Sequence, residues 1–399
     1  MKILFLTHTY PYPLDDGVRL HVYYLLKYLA LDNEIALLSL SDAPVGDEGR
    51  EAILKLGVRS AEVVVHPIMK SPWDRLLNCL FDPVPFFVRQ FQSPAFGQSI
   101  KRALAGQTVD VIHADYLSLA IYLDAFAGRP AVAFPHDAVS LLFERSLRRE
   151  TGILRRFYQS LQFRKILRFE IERLPLFKSV AVVSEVDRQY LLRRLPGLKI
   201  AVVTNGVDTE YFMPQPDREA AEPTILFRGV MNFFPNHDAA LYFYKEIFPK
   251  IRVRQPGARF IAAGKNPDPM WRRLAQNDPG LRVTGYVEDM REIMAQAWVV
   301  ACPMRAASGI QNKVLEPMAM GKAIVATPLA TEGLRLTDGQ HVMLAQDPEA
   351  FAQKVLALLA DAQLRRQLGD RAREHVLSHH HWRSNAVIFN KLYKEAASF

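Results

Sequence analysis

Cysteine is scarce: Cys79 and Cys302 are the only two in 399 residues, and neither has a neighbour at metal-ligand spacing. That excludes a disulfide framework and a thiolate zinc site, and it fits a reducing cytoplasm. Long apolar runs are missing as well. No stretch of about 18 uninterrupted apolar residues occurs, so no bilayer-spanning helix is expected. The opening Met1-Lys2-Ile3-Leu4-Phe5-Leu6 is too short, and lacks the small-residue cleavage site, for a signal peptide. No Gly-x-Gly-x-x-Gly follows it, which disfavours a dehydrogenase. His379-His380-His381 stands without matching ligands, so no metal is expected there.

What is present describes a packed chain of roughly two domains, with 49% hydrophobic and 23% charged residues. A net charge of +8 favours an anionic partner, whether nucleic acid, phospholipid or a phosphorylated small molecule. No helix-turn-helix, zinc or aromatic ribonucleoprotein pattern accompanies the charge, so nucleic acid is the weakest of the three.

Short apolar runs alternate with longer helical patterns along the whole chain. Ile3–Leu6, Ile35–Leu40, Glu62–Val65, Val109–His113, Ala131–Phe134, Val180–Val183 and Ala201–Val203 read as strands buried on both faces. Thr224–Phe227, Arg259–Ala262, Leu281–Val283, Trp298–Ala301, Ala323–Ala326 and Val342–Leu344 form a second series. The expected fold is α/β, with two doubly wound, Rossmann-like domains facing a central cleft. The polar, proline-rich stretch from Met213 to Pro223 reads as the join. A closing amphipathic helix from Trp382 carries an apolar stripe whose destination periodicity does not fix.

The richest segment runs from Pro303 to Thr327 as strand, loop, helix and strand. Small residues at 306–309 allow a close backbone approach, and the helix start that follows suits phosphate or sugar oxygens. Lys313 and Glu316 are three apart, so a cation and a carboxylate share a helical face. Phosphate would want the first and ribose hydroxyls the second. The plain alternative is a capped surface helix with an i, i+3 ion pair and Gly321 as its C-terminal cap. Both residues are expected on a loop-helix face outside the core, so that replacing either leaves the fold intact.

This segment resembles the donor-binding region of glycosyltransferase family 4, retaining enzymes of GT-B fold. Gly-Ile-Gln-Asn-Lys-Val-Leu-Glu at 309–316 is similar to a subgroup of bacterial sugar transferases associated with exopolysaccharide and exosortase systems. Phe134-Pro135-His136-Asp137, Val183-Ser184-Glu185, Asn205-Gly206-Val207-Asp208, Gly229-Val230-Met231-Asn232 with Pro235-Asn236, and Gly285-Tyr286-Val287-Glu288-Asp289 occur in the family's order. The resemblance covers nearly the whole chain. It implies an acceptor-side domain at 1–206, onto which the helix at about 382–399 packs back, and a nucleotide-sugar donor domain at 207–381.

Carried over residue by residue, the resemblance implies that Glu316 binds the donor ribose and that amides near Ser308, Gly309 and Ile310, with Gln311 and Asn312 beside them, meet sugar or diphosphate. Lys313 is the main cation for the leaving diphosphate, with Arg228 and Arg305 behind it, and Gly229 and Val287 line the donor side. His136 contacts the sugar or the reaction centre; its plain alternative is a strand-end histidine bonded to a backbone carbonyl. Gly17 and Asn205 stand on the cleft and acceptor side. The Asp16-Gly17 pair also reads as a turn with Asp15 or Asp16 capping a helix. Two departures from the family pattern stand out: Ser308 where a first glutamate is usual, and Val230 where an arginine follows the glycine. No Asp-x-Asp lies in the donor loops, and the resemblance implies transfer without metal or other cofactor, the nucleotide sugar being the substrate.

From Arg145 to Arg173 nine cations face three carboxylates, interleaved with Phe157, Tyr158, Leu161, Phe163 and Ile166. A lipid-linked acceptor or the inner face of the cytoplasmic membrane would suit that surface, and a solvated helix face explains it equally. Trp73, Leu76, Leu77, Leu80, Phe81, Phe86 and Phe87 form a second apolar region open to the same two readings. The leading function is a hexosyltransferase that passes sugar from a nucleotide-diphosphate donor to a glycan or lipid-linked acceptor. A nucleotide-sugar epimerase on the same fold, or a non-catalytic nucleotide-sugar or membrane-surface binding protein, are the alternatives.

Overall fold

A computed structural model describes residues 1–14, 17–68, 71–106, 108–150, 152–306 and 310–398. The chain divides into two compact units, Met1–Asn205 with Trp382–Phe399, and Gly206–His381. In the first, β1 (Lys2–Thr7), β2 (Glu34–Ser41), β3 (Ser60–Val65), β4 (Val111–Asp115), β5 (Ala131–His136), β6 (Ser179–Val182) and β7 (Ile200–Val202) pair in the order β3-β2-β1-β4-β5-β6-β7. In the second, β8 (Thr224–Arg228), β9 (Arg259–Ala263), β10 (Leu281–Val283), β11 (Val299–Cys302), β12 (Ala323–Ala326) and β13 (Met343–Leu344) pair in the order β10-β9-β8-β11-β12-β13. Both sheets are parallel throughout.

Helices cover both faces of such sheets, which is why the central strands are nearly unbroken apolar runs. Ile3, Leu4, Phe5 and Leu6 of β1 are buried, as are Ile225, Leu226 and Phe227 of β8. The expectation of strands buried on both faces fails at β3, β7, β10 and β13, which are partly exposed. These four are the outer strands of the two sheets, and each lacks a neighbour on one side among the described residues.

The proline-rich stretch expected as the join lies within the second unit instead. The Ala220 amide bonds the Gln296 carbonyl at 3.0 Å, the Trp298 indole donates to the Ala220 carbonyl at 2.8 Å, and Lys322 reaches Glu219 at 3.3 Å. Proline signals a break in periodicity, and here that break is a strap along the unit.

The helix Trp382–Ala397 belongs to the first unit. Its Ala386, Phe389 and Tyr393 enter the core formed by Ile3, Phe5, Val22, Leu25 and Phe134. Polar contacts fix its register: Asn385 donates to the Thr204 carbonyl at 2.6 Å, and the Asn33 amide donates to Asn390 at 2.7 Å. No helix of the described residues is long and apolar enough to cross a membrane.

Candidate active site

Both sheets reverse their strand order once, between β1 and β4 and between β8 and β11. Loops leaving the carboxyl ends of two such strands diverge, which opens a crevice there. The chemistry-bearing residues of each unit gather at its own switch point.

In the second unit β8 ends on Arg228 with Gly229 directly after it, and the segment after β11 leads into the helix Asn312–Ala319. A Cβ on Gly229 would stand 2.7 Å from the Asn236 amide nitrogen, and a Cβ on Gly264 would stand 1.8 Å from the Gly229 carbonyl. Only glycine therefore lets these loops cross. Asn236 is locked in place by its amide on the Val230 carbonyl at 3.1 Å. Its other end, Oδ1, accepts from Lys313 Nζ at 2.6 Å, and Gln311 Oε1 accepts from the same ammonium at 3.0 Å.

Glu316 pairs with Arg228, not with Lys313 three residues earlier, so the ion pair of the surface-helix alternative is replaced by one between two elements. Glu316 is 5% exposed, and the residues following Lys313 on its helix are buried. The placement of both residues outside the core is thus corrected for Glu316, because the helix packs a full side against the sheet. Burial raises the Glu316 carboxyl, and Arg228 works against that rise. Burial also lowers the Lys313 ammonium to about 8, with Arg228 adding to the drop. Arg228 Nε is buried without a hydrogen-bond partner among the described residues.

Arg228 takes the carboxylate here, and the Lys313 ammonium rests on neutral acceptors. Such a group favours a bound anion, since an anion satisfies the guanidinium and restores the charged lysine. Cys302 stands beside it, with its thiol pushed up to about 12 by burial, so it remains protonated and serves as packing.

Ile310 is buried, Gln311 precedes the helix and Asn312 opens it, so the helix start faces the same locality as Lys313. Ser308 and Gly309 lie outside the described residues, as do Asp15 and Asp16. Gly321 follows the helix with a φ of 67°, the left-handed cap the sequence suggested. Arg305 is held elsewhere: its guanidinium bonds Asp238, with Nε at 3.0 Å, and lies over the Tyr242 ring at 4.4 Å. Val287 packs partly buried against the core of this unit.

In the first unit His136 ends β5 at a φ of 67°. Its Nε2 stands 3.1 Å from Asp115 Oδ1, so its partner is a carboxylate and not the backbone carbonyl of the plain alternative. Asp115 is fully buried at the end of β4. Burial opposes its charge, but His136 and His113 beside it hold the carboxyl well below the usual range. An ionised Asp115 accepts a hydrogen bond from His136 Nε2–H. Behind Asp115, His113 Nε2 is 3.6 Å away, and His113 Nδ1 meets the Tyr393 hydroxyl at 2.8 Å. The closing helix thereby reaches into the strand-end cluster.

Tyr116 follows Asp115 at a φ of 88°, and its ring stacks on His136 at 4.1 Å and on His8 at 4.1 Å. Two non-glycine residues with positive φ side by side store roughly 1–3 kcal/mol each, strain that collects where a side chain must be aimed. His8 bonds Ser118 Oγ through Nδ1 at 2.6 Å, and burial lowers it to about 3, which keeps it neutral. His21 joins the group, with Nδ1 3.2 Å from Asn205 Oδ1 and its ring 4.6 Å from that of His136. The structure thus brings His136 and Asn205 together through His21, while Gly17 opens the helix that carries His21.

Sequence reasoning missed Asp115, His113, Tyr116 and Tyr393, and named Asn236 only as part of a motif. One signal was available. His113 and Asp115 alternate in an otherwise apolar central strand, and a polar residue buried there is the informative observation.

Two parallel sheets with sites at their switch points define a GT-B architecture. A sucrose-phosphate synthase of Thermosynechococcus elongatus has the same fold at a TM-score of 0.73 and 19% identity, over 99% of each chain. HepE of Anabaena in complex with UDP matches at 0.69 and 14% identity, over 99% of this chain and 100% of that one. The HepE complex with UDP-glucose matches at 0.68 and 15% identity, over 100% of this chain and 99% of that one. The model of Glycosyltransferase Family 4 matches residues 16–211, and that of Glycosyl transferases group 1 matches residues 222–361. Together they take in every strand of the two sheets except β1, and the chain belongs to the glycosyltransferases of family 4 type. An uncharacterized glycosyltransferase of Methanocaldococcus jannaschii is 26% identical over 88 residues, and the chain spans 22% of that relative's length.

Proposed function

We propose that the protein is a retaining, metal-independent hexosyltransferase that moves a sugar from a nucleotide-diphosphate donor to a glycan or lipid-linked acceptor. Bacterial exopolysaccharide or cell-surface polysaccharide synthesis, on the cytoplasmic side, is the setting that the motif at 309–316 suggests. The observation that carries the reading is the group at the β8/β11 switch point, where Arg228 and Lys313 stand beside Glu316 with one guanidinium nitrogen unsatisfied. HepE, which shares the fold, is solved with UDP and with UDP-glucose, and this favours uridine diphosphate as the nucleotide class.

In this reading the diphosphate lies against Lys313 and Arg228, and Glu316 accepts from ribose hydroxyls. The bond from the sugar's anomeric carbon to the diphosphate oxygen breaks while the acceptor oxygen bonds the same carbon from the same face. The acceptor proton passes to the departing phosphate, so no side-chain nucleophile is required. Charge developing on the leaving diphosphate is met by the two cations, the largest contribution such a site makes. His136, aimed by Asp115, contacts the transferred sugar. No resident cofactor takes part.

The test supplies labelled UDP-, GDP- and ADP-sugars with an extract of glycans and lipid-linked saccharides, and follows both donor and product. Label moved onto an acceptor with the anomeric configuration kept supports the proposal. Donor converted to epimer or free sugar without an acceptor points to the epimerase-like alternative, and binding without turnover points to the binding-protein alternative.

A further inference from the structure

We propose that the first unit carries a docking surface for an anionic phospholipid bilayer, made by the helix Pro72–Phe81 and the first turns of the helix Ile153–Arg173. The inference goes beyond sugar transfer and does not rest on it.

The first observation is a helix turned inside out. Trp73, Leu76, Leu77, Leu80 and Phe81 recur at spacings of three and four, which puts them on one stripe. Yet all five are exposed, Trp73 at 72% and Phe81 at 78%. The opposite side, which faces the protein, carries Asn78 and Cys79. Polar anchors hold that orientation: Gln162 donates to Asn78 Oδ1 at 3.0 Å, and Lys165 donates to the Asn78 and Cys79 carbonyls at 2.7 and 2.9 Å. An ordinary amphipathic helix buries its apolar stripe against the core. Here a lysine and a glutamine fix the stripe outward.

The second observation is the neighbouring helix. Tyr158 lies beside Arg75 and Cys79, Gln162 beside Asn78, and Lys165 beside Cys79. The start of the long helix therefore lies past the Trp73 end of the short one. That start exposes Ile153 at 85% and Leu154 at 84%, with Phe157 one turn on. The two elements together present one apolar surface of eight large side chains, too many to be scattered singles.

Charge selects the occupant. The twelve residues 153–164 hold Arg155, Arg156 and Arg164, all exposed, and no carboxylate. Arg155 and Arg156 sit in the first turn of a helix, where the macrodipole is positive and a cation costs stability. An anion held there would relieve that cost. A second copy of the chain paired through this surface about a two-fold axis would bring two equally basic patches, with no carboxylate at 153–164 to offset them, into one interface, which is repulsive. Apolar side chains that include an exposed tryptophan, with arginines alongside, match the interface of a bilayer that carries acidic headgroups.

Trp73 supplies the readout, because Trp271 and Trp382 are buried and the Trp298 indole is engaged by the Ala220 carbonyl. Vesicles of phosphatidylglycerol mixed with phosphatidylcholine are expected to sediment the protein, blue-shift its fluorescence and quench it when the chains are brominated. Pure phosphatidylcholine should do little, and high salt should release the protein. Arg155→Glu with Arg156→Glu should weaken partitioning by at least about thirtyfold, from the attraction each cation loses at an anionic surface. Trp73→Ser with Leu77→Ser should abolish the shift while leaving the circular dichroism and melting temperature unchanged. Equal binding to neutral vesicles, no fluorescence change, or self-association that Trp73→Ser removes would overturn the proposal, and none of these readouts depends on catalysis.

Discussion

Lys313 offers a test in which two observables must move in opposite directions with pH. Its ammonium is lowered from 10.5 to about 8 because it is desolvated and stands near Arg228. The unfolded chain keeps that proton up to about pH 10.5, whereas the folded chain gives it up near 8. The unfolded state binds more protons across this window, so stability without ligand rises from about pH 8 to 10.5, by up to about 3 kcal/mol. A bound diphosphate reverses the preference, since it needs the cation. Above pH 8 binding must draw a proton from solvent, and affinity falls by up to tenfold per unit of pH. Between about pH 7 and 9 the dissociation constant for UDP should therefore rise about tenfold. Calorimetric titration in two buffers of different ionisation enthalpy measures both the affinity and the proton uptake. Lys313→Met should bind weakly with that slope removed, and Lys313→Arg should bind with a flat profile. A flat wild-type profile, or the same slope in Lys313→Met, would refute the placement of diphosphate on Lys313.

Glu316→Ala leaves the partly buried Arg228 without its carboxylate and should cost about 3 kcal/mol in urea unfolding, whereas the double variant Arg228→Met, Glu316→Leu should recover most of that loss. Gly229→Ala drives a Cβ against Asn236 at 2.7 Å, so Asn236 must shift and release Lys313; a cost of about 1–3 kcal/mol and weaker UDP binding are expected by melting and calorimetry. Asp115→Asn removes the charge that aims His136. Its loss of a charge-assisted hydrogen bond, about 1.5–3 kcal/mol, should lower kcat tenfold to a hundredfold while donor KM changes little.

The strand series is legible in the sequence because parallel strands covered on both faces must be apolar, and short apolar runs between helical patterns leave few other readings. Strand ends are less so. β4 runs on to Asp115 and β5 to His136, since ladder pairing continues through polar residues that an apolar pattern discards. In the second unit Lys313 and Glu316 stand out through their helical spacing, but their partners do not. Arg228 is 88 residues from Glu316, and Asn236 is 77 from Lys313, so each pairing exists only after β8 and β11 lie side by side. The same holds for Tyr393, which completes the His113 and Asp115 pair from 280 residues away. Outward-facing Trp73 and Leu77 show the converse: periodicity gives a stripe its helix, and only the anchors on Asn78 and Cys79 say which way it points.

The central claim is that Arg228, Lys313 and Glu316 hold a nucleotide diphosphate. It is tested most directly by titrating UDP, GDP and ADP into the wild type and into Lys313→Met and Glu316→Gln at about pH 7. Saturable binding of one nucleotide, UDP being expected, that both variants weaken by tenfold or more is the predicted result. Binding of none of the three, or binding that neither substitution alters, would contradict the account.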